Sequence, residues 1–312
     1  MVHNPEGKLV VILNPVAGKG HAIKELPRID RFLKERVQHY EIIQTKGPGD
    51  AQHIAGDYPL DEDTVVVAAG GDGTCNEVVN GLLTRKRDAS ALPPLFGVLP
   101  VGRGNDFSFN SGVGEDLDAA LRSLIARKSS PLDAGWVIGG SFPQGRYFVN
   151  GVGMGFDTKV GFEAAKMKIQ SGLSYVLGAI ITVARFEAPP LLEVEYGDEK
   201  ITLPAVLVSV MNGRRMGGSF IMAPRAEFDD GAFDICMIRN PPTRRRLIQI
   251  VAKYPAGRQE ECPETVMGRA RNFHIKALEG GMAAHCDGET ICTDGKELEI
   301  RCIPAALSLI HP

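Results

Sequence analysis

At 312 residues, 44% of them apolar, with a formal net charge of −3, the chain has material for two modest domains and lacks the basic excess of a nucleic-acid binder. Its six cysteines (75, 236, 262, 286, 292 and 302) form no CxxC pair, which points to reduced thiols in the cytoplasm rather than a disulfide frame or zinc site. The opening MVHNPEGKLVVILNP is too polar for a secretory signal, and the mostly apolar run Tyr175 to Ala184 reaches about half a bilayer span, so membrane contact is expected to be peripheral.

Leu9 to Leu13 is a continuous apolar run, the pattern of a strand buried on both faces. The loop behind it, Asn14 to Gly20 (NPVAGKG), precedes the amphipathic stretch Ala22 to Arg36. No Ser or Thr follows Lys19, so this is not a Walker A loop. Gly18, Lys19 and Gly20 at a strand's carboxyl end still suit phosphate, with a solvated loop lysine as the plain alternative. Tyr40 to Thr45 is the second expected strand, Thr45 its terminal hydroxyl, and Gly49 to Gly56 opens the next helix. Thr64 to Val67 gives the third strand. Gly70, Gly71, Asp72, Gly73 and Thr74 then break the pattern, and Cys75 to Leu83 resumes with Val78, Val79, Leu82 and Leu83 on one helical face.

Glycines between a strand and a helix let backbone N–H groups converge, and the helix end adds partial positive charge. A carboxylate in such an anion seat is unwelcome beside phosphates unless a divalent cation lies between. Asp72 therefore marks a nucleotide-phosphate site working with magnesium; a simple tight turn is the alternative. Phe96 to Pro100 is the fourth strand, followed by a loop with Arg103, Gly104, Asn105 and Asp106. The last two suit a magnesium–water network or a helix cap equally. Strands alternating with helices predict a parallel sheet with ligands at its carboxyl ends.

Leu117 to Ala126 reads as a helix and Ser129 to Gly135 as the crossing into a second domain. The expected domains are 1–131 and 132–303, with 304–312 a candidate to return to the first. Short runs then follow one another with turns between: Arg146 to Val152, Leu191 to Tyr196, Ile201 to Met211, Phe233 to Ile238, Phe273 to Ala277 and Leu298 to Ile303. Tyr196 to Glu199 reads as a hairpin turn, and the series predicts a mainly antiparallel β domain. One helix interrupts it, Gly161 to Phe186, whose apolar stripe packs on the sheet or admits an acyl chain. Arg244, Arg245 and Arg246 before Leu247 to Ala252 form a solvated helix end or a contact for anionic headgroups. Asp287-Gly288-Glu289 is a hairpin turn or a pair of re-aimed carboxylates. His285 and Cys286 have no partners at metal-ligand spacing and are expected to be structural.

The stretch Gly70 to Leu82, GGDGTxNEVxNGL with Cys75 and Val79 at the variable places, resembles the signature of the diacylglycerol-kinase catalytic family. That family includes bacterial lipid kinases and the sphingosine and ceramide kinases, whereas kinases of NAD share only the GGDGT core. The resemblance continues in the NPxxG loop, in Thr45, and in Pro100 to Phe107, similar to LPxGTxNDF with Arg103 in place of the usual Thr or Ser. It reappears at Asn150 with Gly155, Phe156 and Asp157, at Asn212-Gly213-Arg214 with Gly217-Gly218, at Pro224 to Asp234, and at Asp287-Gly288-Glu289.

The resemblance implies an α/β first domain, a parallel sheet flanked by helices and NAD-kinase-like, followed by a mainly antiparallel β domain for lipid. It implies ATP and Mg²⁺ as cofactors, held by Asn14, Gly18, Lys19, Thr45, Gly70 to Thr74, Asn76, Glu77 and Arg103 to Asp106. A structural magnesium would sit on Asp230 with the main-chain oxygens of Glu227 and Ala232, although an Asp-Gly turn explains Asp230 as well. Asp72 joins the cation network, and Asp287 or Glu289 supplies the base, Asp287 the more direct. The expected activity is transfer of the ATP γ-phosphate to a lipid alcohol, diacylglycerol-like or sphingoid. A kinase of a soluble substrate such as NAD is the first rival; the NEVxNGL extension and the DGE stretch argue against it. A nucleotide-binding regulatory protein that has lost catalysis is the second; the retained Asp72, Asp287 and Glu289 argue against that. A second copy of the chain is a further candidate partner.

Overall fold

The structure, a computed structural model, describes residues 7–86, 92–156, 158, 189–239 and 243–312. The expected helix Gly161 to Phe186 and the motif residue Asp157 lie outside them. The chain divides into two compact units, Met1–Ala134 with Pro304–Pro312, and Gly135–Ile303.

The first unit is built on four parallel strands, β1 (Leu9–Leu13), β2 (Tyr40–Gln44), β3 (Val65–Gly70) and β4 (Leu95–Pro100), in the order β2-β1-β3-β4. β1, β3 and β4 are buried at every position, which is why they read as unbroken apolar runs. Each apolar side chain fully withdrawn from water stabilises by roughly 1.5–3 kcal/mol. Helix α1 (Ala17–Arg36) contacts β2 and β3, and α2 (Asp50–Asp57) packs on α3 (Asp72–Thr84). Gly81 of α3 permits that packing, because a Cβ there would run into Gln52 O and Ala55 Cβ of α2. The short α4 (Asp106–Asn110) and α5 (Leu117–Ala126) complete the layer, α5 with Asp116 as its N-cap, accepting from the N–H groups of Asp118 and Ala119. The sheet runs outward from β1 to β2 on one side and from β3 to β4 on the other. The loops after β1 and β3 thus flank the point where the chain reverses direction across the sheet, where α/β folds open a crevice for ligands.

The crossing at Ser129–Gly135 is made by a strand. β5 (Ser129–Gly139) passes through the boundary, and the final strand β17 (Glu297–Ile310) passes back through it, pairing in parallel with β4 at Ser308 and Leu309. Buried Asp133 in β5 is satisfied by the Ala305 N–H at 2.8 Å.

The second unit is antiparallel. Its strands are β6 (Phe142–Phe148), β7 (Gly151–Gly155), β8 (Leu191–Tyr196), β9 (Glu199–Met211), the short pair β10 (Arg215–Met216) and β11 (Phe220–Ile221), β12 (Phe233–Arg239), β13 (Thr265–Ala270), β14 (Asn272–Glu279), β15 (Met282–Cys286) and β16 (Glu289–Gly295). β9 serves two layers. Residues 199–204 pair with β8, and from Ala205 onward it pairs with β12 and β7. Pro204, which has no N–H to donate, stands where the strand changes neighbours. One core gathers Ile235 and Met237 of β12 with Leu192, Val194, Ile275 and Ile300; the alternate residues Cys236 and Ile238 face a second cluster. That cluster is closed by Leu247 and Ile250 of α6 (Arg244–Val251). Burial on both faces explains the apolar character of β12.

Arg146 to Val152 is not one strand, as the sequence predicts, but two. The chain breaks at Val149 and Asn150, whose N–H groups turn to a side chain instead of a neighbouring strand.

Candidate functional site

Three loops at the carboxyl ends of β1, β3 and β4 converge. The Asn14 amide donates to Thr74 Oγ1 at 3.1 Å, joining the first loop to the GGDGT segment. A Cβ on Gly18 would lie 2.8 Å from Val101 O, and one on Gly102 would run into the Gly71 backbone. These contacts bring the main chains of all three loops together, as a phosphate cradle of backbone N–H groups requires. Gly18, Lys19 and Gly20 all have positive φ (59°, 56° and 82°). For Lys19, whose side chain is exposed, the left-handed conformation costs about 1–2 kcal/mol. Strain of this kind concentrates at functional loops.

The helix starts three residues before the expected Cys75. Gly71 is the N-cap of α3 and Asp72 its first residue, so Asp72, Gly73 and Thr74 form a helical turn. The Asp72 carboxylate gains from the partial positive charge of that end. Its Oδ1 accepts the Phe107 N–H at 2.9 Å, binding the turn to the start of α4. Asn105 sits at φ 49°, and its Oδ1 accepts the Gly102 N–H at 3.1 Å, bracing the β4 loop from within. Asp106 is buried and Arg103 exposed.

Gly104 leaves a gap between the two acids. A Cβ there would lie 2.8 Å from Asp72 Oδ2 and 3.7 Å from Asp106 Oδ2. Two hard carboxylate oxygens facing one small space, beside a backbone cradle, suit a magnesium that keeps several waters and bridges to phosphate. These residues fit the expected cation.

Three residues expected at the nucleotide are tied into the scaffold. Asn76 is fully buried, with Oδ1 and main-chain O accepting from the Asn80 amide. Both Glu77 oxygens are taken by the start of α2, accepting from Gly49 N at 2.8 Å and Ala51 N at 3.1 Å. Thr45 is buried, and its N–H extends the β2 pairing to Leu13 O. Gly102 is not among the residues expected at the nucleotide, although it is the glycine of the stretch similar to LPxGTxNDF.

In the second unit, Asp287 and Gly288 are the two residues of a tight hairpin between β15 and β16, with φ 46° and 88°. This is the turn that Asp-Gly favours. The Asp287 carboxylate is buried and accepts three backbone N–H groups: Val149 at 2.9 Å, Asn150 at 3.0 Å and Gly151 at 3.0 Å. Asn150 extends the knot, its amide donating to Arg215 O and its carbonyl accepting from Asn212 and Gly213. The matched motif segments at 150, 212–215 and 287 thus meet in one polar core. Glu289 stands exposed beyond the turn. The turn aims the two acids apart, one inward as an anchor and one outward. Burial pushes the His285 imidazole down to about 4, so the ring is neutral near pH 7, and its Nδ1 faces the Gly288 N–H at 3.4 Å.

At the expected structural-magnesium loop the protein itself pairs the Asp230 carboxylate. Asp230 Oδ2 pairs with the Arg269 guanidinium and Oδ1 accepts the Ala232 N–H at 3.1 Å, while Arg271 holds Gly231 O at 2.8 Å. Glu227 is exposed. Among the described residues no three His, Cys, Asp or Glu side chains cluster as metal ligands, and no helix is long and apolar enough to cross a membrane. The six cysteines, all among the described residues, form no disulfide.

A family model described as diacylglycerol kinase catalytic domain matches residues 8–137. One described as YegS C-terminal NAD kinase beta sandwich-like domain matches residues 150–311. The chain is 30% identical over 312 residues to a probable lipid kinase YegS-like of Xanthomonas oryzae pv. oryzae, covering 97% of this chain and 95% of the relative. It is 29% identical to a diacylglycerol kinase of Bacillus subtilis, covering 89% and 88%. A solved diacylglycerol kinase from Bacillus anthracis strain Sterne shares the fold, with a TM-score of 0.71 at 23% identity over 98% of this chain and 97% of that one. With both units matched, and the GGDGT turn built into the crevice of the first, the chain belongs to the diacylglycerol kinase catalytic-domain family of lipid kinases.

Proposed function

We propose that the protein is an ATP- and magnesium-dependent lipid kinase that phosphorylates the hydroxyl of a diacylglycerol-like or sphingoid lipid. One observation carries the reading: three glycine-bearing loops meet at the sheet's reversal point, and two carboxylates, Asp72 and Asp106, face the gap left by Gly104.

Phosphoryl transfer depends on positioning and on charge stabilisation. Backbone N–H groups of the β1, β3 and β4 loops cradle the phosphates, with Lys19 and Arg103 as the exposed cations beside them. Asp72 and Asp106 hold magnesium, which when bound neutralises charge on the transferring group. Asp72 lies in the first turn of α3, where the helix end favours negative charge, and is aimed by the Phe107 N–H.

The acceptor hydroxyl needs a base. Glu289 takes this role in the proposal, because its carboxylate is exposed whereas Asp287 is committed to three N–H groups. Asp287 is then a positioning residue that fixes the turn carrying Glu289. In this reading the enzyme works at the cytoplasmic face of a membrane, where ATP and lipid meet. The test is transfer from labelled ATP to diacylglycerol, monoacylglycerol, sphingosine, ceramide and NAD in mixed micelles. Label in a lipid supports the proposal; label in NAD alone overturns it.

A further inference from the structure

Helix α2 starts without a cap of its own. Its N-cap is Gly49, at φ 82°, which has no side chain to accept from the first turn. Both ends of α2 are held instead by α3 and the residue that closes it, Arg85. Glu77 accepts the Gly49 N–H at 2.8 Å and the Ala51 N–H at 3.1 Å. The Arg85 guanidinium donates to Ala55 O at 3.1 Å, Gly56 O at 3.0 Å and Tyr58 O at 2.5 Å. A carboxylate at the amino end and a guanidinium at the carboxyl end both complement the dipole of α2. The two grips stand eight residues apart, about 12 Å of helix, which matches the eight residues of α2. Between them Gly81 lets the two backbones approach. The start of α2 is thereby tied to the helix whose first turn carries Asp72.

The loop leading into α2, residues 45–49, also closes on itself. The Lys46 N–H donates to Asp50 Oδ2 at 2.6 Å, and the Asp50 N–H donates to Gly47 O at 3.3 Å. Glu77 fixes the far end of this loop through Gly49. At the near end the Thr45 N–H extends the β2 pairing to Leu13 O at 2.9 Å. Lys46 therefore stands one residue beyond the sheet, beside the loop that follows β1. Neighbouring strands are about 4.8 Å apart, a gap that a lysine side chain spans. Loops 14–20, 45–49 and 101–105 each hold one cation, Lys19, Lys46 and Arg103, all exposed, and no acid. Among the described residues no carboxylate pairs with the Lys46 ammonium. Three loops at one end of the sheet thus bring one cation each to the crevice that the backbone cradle lines.

We propose that Lys46 binds the phosphate chain of the nucleotide from the β2 side, and that Glu77 is the positioning residue that holds its loop there. The proposal rests on the lipid-kinase reading, which puts ATP in this crevice. The test is calorimetric titration of the full chain with ATP and with ADP in the presence of Mg²⁺, over a range of salt. Lys46→Met should weaken both nucleotides about tenfold, the loss of one charged hydrogen bond, and should flatten the salt dependence of binding. Lys46→Arg should keep most of the affinity. Lys46 is exposed, so both variants should melt with wild type. Glu77→Gln keeps one acceptor oxygen and loses the other, and should weaken ATP several-fold. A merely structural Glu77 would add its loss to that of Lys46→Met. A Glu77 that acts through Lys46 would not, so the double variant should bind about as weakly as Lys46→Met alone. Additive losses overturn the role of Glu77. Wild-type affinity in Lys46→Met, with ATP bound by both proteins, overturns the whole proposal and leaves the kinase reading standing. Wild-type protein that binds no nucleotide removes both.

Discussion

The Asp287 carboxylate accepts the Asn150 backbone N–H at 3.0 Å, joining positions 137 residues apart. The same carboxylate takes the N–H groups on either side, so one side chain replaces three ladder bonds at the break between β6 and β7. This separates the two acids of the DGE turn by role.

Asp287→Ala should leave three buried donors without an acceptor, each costing about 1–3 kcal/mol. The total is at least about 3 kcal/mol, roughly 6–12 °C in melting temperature for a unit of this size. Glu289→Gln should melt as wild type does while losing turnover. Calorimetric ATP titration should give wild-type affinity for Glu289→Gln. Equal melting temperatures for the two variants would remove the distinction.

Much of the fold is legible where its rules are local. Leu9–Leu13, Leu117–Ala126 and Leu191–Tyr196 end where periodicity and capping place them, since buried runs, the Asp116 cap and the Gly197 turn are encoded within a few residues. Two of the differences have a non-local cause. Val149 to Gly151 look like strand until Asp287 arrives from far along the chain. That Ser129 to Gly135, the expected crossing, is a strand is set from far along the chain, with Asp133 accepting from Ala305, 172 residues on. Asn76 and Glu77 sit inside the motif but point into the scaffold, because consecutive helical residues face different directions and the signature does not say which of them face the ligand.

Gly102→Ala tests the convergence of the loops. The new methyl would collide with Gly71 backbone, which cannot yield as a flexible side chain would. Overpacking of this kind costs about 1–3 kcal/mol, and ATP affinity should fall with it. Gly20→Ala is the control, a loop glycine whose Cβ would meet nothing within 4 Å. It should carry only the left-handed strain, about 1–2 kcal/mol, and leave the loop contacts in place. Wild-type ATP binding by Gly102→Ala would contradict the observed approach.

Because Arg269 and the Ala232 N–H already hold the Asp230 carboxylate, chelation of Mg²⁺ without nucleotide should leave the melting temperature unmoved. A ligand bound to the native state alone would raise it. A rise of several degrees on adding Mg²⁺ would restore a structural cation at this loop.

The His285 ring holds its folded value near 4 against an ordinary value of 6.5, because burial disfavours the charged form. Between those values the unfolded chain binds a proton that the native ring refuses, so stability falls as pH drops from 6.5 toward 4. The loss is complete below about pH 4. His285→Gln should flatten that part of the melting profile. A profile as steep as wild type would assign the acid sensitivity to other groups.

The most direct measurement follows the γ-phosphate of labelled ATP into organic-extractable product, with wild type and Asp72→Asn side by side. The substituted amide keeps an oxygen for the Phe107 N–H and loses the charge that holds the cation, so the fold should persist while turnover falls about 100-fold or more. The expected result is a labelled lipid from wild type, almost none from the variant, and matching melting curves. Label in NAD but in no lipid, or equal turnover by the two proteins, would contradict the assignment.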